Sequence, residues 1–98
     1  MDRRYTIDDF LPCVGQHFHL CYPDHSDTLT LTDAVPARIQ LPGFPPGFFL
    51  HFVGANTKVM LGQHSYLLEN STIGPIRLLL TPTRRQPDGT FVYEAVFN

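Results

Sequence analysis

A chain of 98 residues with 43% hydrophobic and 16% charged residues and a formal net charge of -2 has length for one core and not two, because it buries only roughly 60 to 65% of its unfolded surface. Its 12% of Phe and Tyr exclude a disordered segment, and the slightly acidic balance, with Lys58 as the single lysine, argues against nucleic acid as a partner. No apolar run nears the roughly 20 residues of a membrane helix, and nine Pro and seven Gly break the chain too often for long helices.

Met1-Asp2-Arg3-Arg4 has no apolar core behind its arginines, so no secretory leader is expected and the chain is read as cytoplasmic as synthesised. Thr6-Ile7-Asp8-Asp9-Phe10-Leu11 opens with a capping residue, carries an acid three positions later and is stopped by Pro12, which predicts one or two helical turns. Ile7, Phe10 and Leu11 are expected to plug one end of the domain, and Asp8 and Asp9 to serve the helix N-terminus rather than form a catalytic carboxylate pair. Cys13 and Cys21 are expected as buried free thiols, with a bridge between them as the alternative.

After Gly15 the pattern turns to period two: Phe18, Leu20 and Tyr22 share one face, His17, His19 and Cys21 the other. Turn residues at 23–27 lead to Thr28-Leu29-Thr30-Leu31-Thr32, which alternates again and completes a hairpin. The second strand is expected to continue through Asp33 to Arg38 past a bulge, with Pro36 confining it to a sheet edge. Leu41 to Gly47 is a loop, since three of its seven residues are prolines. Phe48 to Gly54 is a third strand, apolar except at His51, which implies burial on both faces or contact with a partner. A fourth strand is placed near His64 to Asn70, a fifth at Ile76 to Thr81 and a sixth at Phe91 to Phe97. Six short strands without room for crossover helices predict an all-β fold, a small antiparallel β-barrel or roll with a short N-terminal helix, as a single domain over residues 1–98.

Among chemically capable groups, His17-Phe18-His19 points two imidazoles to one side of a strand, where they could share a metal. The pair resembles the HxH of a cupin, and Pro45, Gly47, His51 and Asn56 are loosely similar to that fold's second segment. His17, His19 and His51 are therefore the metal candidates, with His64 as the alternative to His51. No Glu follows His19 at ligand distance, so exposed strand histidines are the competing interpretation. No Gly-x-Ser-x-Gly elbow, phosphate loop or Cys-x-x-Cys pair is present, so no catalytic residue and no cofactor is assigned. The stretch from Leu41 to Phe49 combines prolines with Phe44, Phe48 and Phe49, stiff backbone with large apolar area. Those three rings are the partner-binding candidates, unless they cap the barrel's own core.

Taken together, Phe10-Leu11-Pro12, Gly15 with Phe18, Phe49 to Gly54, Tyr66-Leu67-Leu68-Glu69, Gly74, Pro82 and the ending Tyr93-Glu94-Ala95-Val96-Phe97-Asn98 resemble a small bacterial family of uncharacterised domains. The resemblance implies no activity. It places relatives beside proteins similar to phage tail-collar or tail-fibre components, which implies an accessory or structural role. The expectation is a non-enzymatic structural or interaction domain that self-assembles as a homo-oligomer or docks onto a tail-like or surface-fibre protein. A cupin-like metal protein using His17 and His19 is the first alternative, and a small-ligand-binding barrel the second.

Overall fold

The computed structural model describes residues 5–22, 26–39, 41–44 and 46–97. Helix α1 spans Ile7–Phe10 and runs into a 3-10 turn at Leu11–Cys13; the strands are β1 His17–Cys21, β2 Ser26–Pro36, β3 Phe48–Gly54, β4 His64–Asn70, β5 Gly74–Arg85 and β6 Phe91–Phe97. They form a closed antiparallel barrel in the order β1-β2-β3-β6-β5-β4, with β4 returning to β1. The all-β expectation holds, and β3, β4 and β6 occupy the predicted residues. Arg3-Arg4, Pro23-Asp24-His25, Pro45 and Asn98 lie outside the described residues.

α1 forms where the Thr6 backbone N–H donates to the Asp9 carboxylate at 2.8 Å and the Asp9 N–H to the Thr6 carbonyl at 3.0 Å. Phe10 is fully buried against Phe48 and Phe97, with ring centroids 5.7 and 5.3 Å away. Leu11 does not join the plug. It is 49% exposed, because the 3-10 turn rotates it outward and carries Cys13 into the core instead. Cys13 is a buried free thiol, its pKa pushed up by burial and then by the nearby Asp9 charge. The Cys21 side chain is outside the described atoms.

Two strands carry bulges, and β2 ends at Pro36, two residues short of the expected Arg38. β2 shifts register between Leu31 and Asp33, as expected, and β5 shifts between Pro82 and Arg84. The β5 irregularity lets the strand pass a residue with no amide donor, which is why β5 continues to Arg85 rather than ending at Thr81. Pro36 lies where β2 is an edge, as expected: the ladder to β1 stops at Thr30, and Asp33 to Pro36 pair with β3 alone, Pro36 with Phe48. Beyond Leu31, whose backbone bonds to Gly15 and Gln16 are the last on that side, α1 and the 3-10 turn pack against β2 where β1 is missing.

β3 does not bury both faces. Phe48, Leu50, Phe52 and Gly54 are buried, whereas Phe49, His51 and Val53 are half-exposed. Inward side chains fill the lumen: Phe18 meets Phe52 edge-on at 5.2 Å, Phe48 stacks on Phe97 at 4.5 Å, and Leu20, Leu29, Leu31, Leu68, Leu80 and Tyr93 are almost completely buried. Burial raises the Tyr93 hydroxyl pKa, against the hydrogen bond that this oxygen accepts from the Leu61 N–H at 2.9 Å. Tyr93→Phe leaves that buried N–H without an acceptor, and a loss of about 1 to 3 kcal/mol is expected in chemical denaturation. Among the described residues no helix is long and apolar enough to cross a membrane.

Candidate functional site

The outer wall of β2, β3 and β6 presents two adjacent rows set by strand register. One is apolar: Val35 pairs beside Phe49, and Phe49 beside Val96. The next is charged: Asp33 pairs beside His51, and His51 beside Glu94. Side-chain alternation with period two puts both rows on the solvent side.

In the charged row, His51 Nδ1 lies 2.5 Å from Asp33 Oδ1 and Nε2 lies 3.1 Å from Glu94 Oε2. Ionised carboxylates only accept, so both ring nitrogens donate and the geometry fits an imidazolium. Burial by itself would lower the His51 pKa, but the hydrogen bonds and negative charges of Asp33 and Glu94 outweigh it and raise it. With no ring nitrogen free, His51 in this state is neither a general base nor a metal ligand; it is a cross-link between three strands. Both bulges flank it. Thr32 donates to the His51 carbonyl at 3.1 Å and Thr83 to the Val92 carbonyl at 3.2 Å, and the wall between them forms a shallow depression of about 580 Å³ that also includes Arg84 and Gln86.

The apolar row continues into the loop between β2 and β3. The Ala37 N–H donates to the Gly47 carbonyl at 2.9 Å and closes its base. Gly43, at φ +82°, takes a backbone conformation that side chains resist and turns the chain so that Phe44 projects outward. Ile39, Leu41 and Phe44 are 78, 59 and 69% exposed, and Val35 and Val96 are 39 and 50% exposed. Of the three rings singled out by sequence, Phe44 is the exposed one, Phe49 is half-buried, and Phe48 is 2% exposed and belongs to the core. Phe48 therefore offers no docking surface. Ile39, Leu41, Val35 and Val96 escaped notice because each is a lone aliphatic in sequence; the register sets Val35 and Val96 on either side of Phe49, and the loop that carries Ile39 and Leu41 leaves from the end of that row.

His17 and His19 are exposed on the outside of β1, with their Nδ1 atoms 3.2 and 3.3 Å from the hydroxyls of Thr30 and Thr28. β2 separates them from His51, and His64 lies on β4 against Tyr66. The four histidines are thus not brought to one point, and among the described residues no group of three or more His, Cys, Asp or Glu is placed to hold a metal ion.

A second polar feature sits inside. Asp27 faces the lumen opposite Leu20, 7% exposed; its Oδ1 accepts from the Thr28 and Asn56 N–H groups at 2.8 and 2.9 Å, while Oδ2 is buried with no partner. Gly54 leaves the room for it, because a Cβ there would lie 2.6 Å from Oδ2. Alternation in β2 predicts the inward direction of Asp27, but a carboxylate in a core position reads as turn chemistry in sequence.

Comparison with curated proteins and with solved structures gives no significant match. The family model described as Domain of unknown function (DUF6916) matches residues 5–97, the whole barrel and its helix, and the chain belongs to that family.

Proposed function

We propose that this chain is a non-enzymatic interaction domain that docks onto a protein surface, in the first place that of a second copy of itself, through the β2–β3 loop and the Val35–Phe49–Val96 row. The observation that carries this is the concentration of Ile39, Leu41 and Phe44 on one closed loop beside that row, all strongly exposed in a domain whose lumen is already filled. Burying those side chains stabilises an assembly at roughly 25 cal/mol per Å² of apolar surface, and the loop prolines reduce the entropy lost on docking. Strand addition is the lesser route, because the barrel is closed and the one-sided stretches at the ends of β2 and β5 are short. The resemblance to a bacterial family encoded beside phage-tail-like proteins supports an assembly role and makes a tail or fibre component the other candidate partner.

Sedimentation velocity over a concentration series tests the self-docking reading. The weight-average mass is expected to rise from that of one chain toward that of two. Leu41→Ser with Phe44→Ser is expected to hold it at one chain, while stability changes by no more than about 0.5 kcal/mol per site, as for surface positions generally. Phe48→Ser would be uninformative, since it unfolds the core. A single-chain mass at every concentration overturns the reading.

A further inference from the structure

The Asp33–His51–Glu94 row is the one place among the described residues where side chains from three neighbouring strands share ionic hydrogen bonds. The charged and titratable groups around His51 are few. β2 contributes Asp33, β6 contributes Glu94, and β5 contributes Arg84 across the depression, with the uncharged Thr83 and Gln86; Phe49 and Val53, its outward neighbours on β3, carry no charge. A doubly protonated ring satisfies both carboxylates, whereas a neutral ring has one N–H and can satisfy only one. Deprotonation therefore breaks one strand-to-strand link and turns a row with one excess negative charge into a row with two.

The position of the row makes that loss matter. Asp33 follows the β2 bulge, where β1 no longer accompanies β2, so the end of β2 is held by its ladder to β3, by the packing of α1 and by this side-chain bridge. We propose that the row is a proton-operated lock: protonated His51 cross-links β2 and β6 to β3 at the end of the barrel that bears the exposed loop, and deprotonation removes one of those two cross-links, leaving that strand to its backbone ladder, so that this end opens more readily. The lock is a property of the barrel and holds whatever the loop binds.

The direction of its pH dependence follows from linkage. The imidazolium is favoured in the fold over the unfolded chain, whose His titrates near about 6.5, so the stabilisation is complete below that pH and is lost as pH rises through the higher folded value. NMR titration of His51 in the native protein, with the urea-unfolded chain as reference, reads the shift directly. Native-state amide exchange of Val35, Leu50 and Val96, corrected for intrinsic rates, reads the opening; each pH unit of His51 shift appears as a further tenfold loss of protection between acidic and alkaline conditions. His51→Gln is expected to flatten that dependence. Asp33→Asn and Glu94→Gln, which keep the ring, are each expected to lower the His51 midpoint, so the proposal stays testable if the Gln variant folds poorly. A His51 midpoint at or below that of the unfolded chain, or the same pH course of protection in the Gln variant, overturns it.

Discussion

Phe52→Ala is expected to cost about 3 to 5 kcal/mol and to lower the melting temperature by roughly 15 to 30 °C in a domain of this size. The ring is fully buried on the inner face of β3, between the pairing partners Leu31 on β2 and Tyr93 on β6, and it meets Phe18 edge-on across the lumen. Removing it takes away apolar surface burial and the edge-to-face contact together, and the wall cannot easily collapse into the void because β3 is laddered to β2 on one side and β6 on the other. Total stability of such domains is about 5 to 15 kcal/mol, so the variant sits at the margin of folding. Urea denaturation checks the cost, with Phe52→Leu expected to recover more than half of it by refilling most of the volume. A cost below about 1.5 kcal/mol, the range of tolerated volume-conserving swaps, would mean that the lumen is not packed around this ring. The same packing bears on function, since an interior filled with Phe18, Phe52 and Tyr93 makes the barrel a rigid support for its outer surface.

What was legible in the sequence was local. Gly and Pro punctuation and period-two alternation place β3, β4 and β6 at their observed residues, and the Thr6 to Asp9 spacing places α1. What was not legible depends on pairing between distant segments. β3 lies beside β6 rather than β4, a choice made by register over some forty residues, and only that register assembles Asp33, His51 and Glu94 from positions 18 and 43 residues apart. The run Phe48-Phe49-Leu50 is apolar at every step, so alternation cannot say which phase faces in; the barrel buries Phe48 and leaves Phe49 half-exposed, and the docking candidates change accordingly. Pro82 reads as a stop in isolation, and a bulge overrides it. Asp27 reads as a turn residue and Asn70 as a plain strand end, and both are buried at barrel ends where the backbone needs acceptors.

Asn70 supplies the second large effect, and Asn70→Ala is expected to cost about 3 kcal/mol, from two or three hydrogen bonds whose partners are left unsatisfied at roughly 1 to 1.5 kcal/mol each. The side chain is 5% exposed. Its Oδ1 accepts from the Thr72 and Ile73 N–H groups, both at 2.9 Å, which closes the turn from β4 into β5, and from the Cys13 thiol at 3.8 Å. Its Nδ2 donates to the His17 carbonyl at 2.9 Å and to the Gln16 side chain at 3.1 Å. One amide thus ties the β4–β5 turn, the start of β1 and the helical plug, beside the seam where β1 and β4 share only the His19–Glu69 and Leu20–Leu68 pairs. Because that seam is the shortest ladder of the barrel, its loss is expected to appear first as faster amide exchange at Thr72, Ile73 and Leu20, ahead of global unfolding. Asn70→Asp separates the two halves of the role. A carboxylate keeps the acceptor for the turn but sets a negative oxygen against the His17 carbonyl and the Gln16 side chain, so its protonated form is favoured in the fold and the variant regains stability relative to wild type as pH falls. Equal stability of wild type and Asn70→Ala, or an Asn70→Asp deficit independent of pH, would show that the seam is held by packing alone.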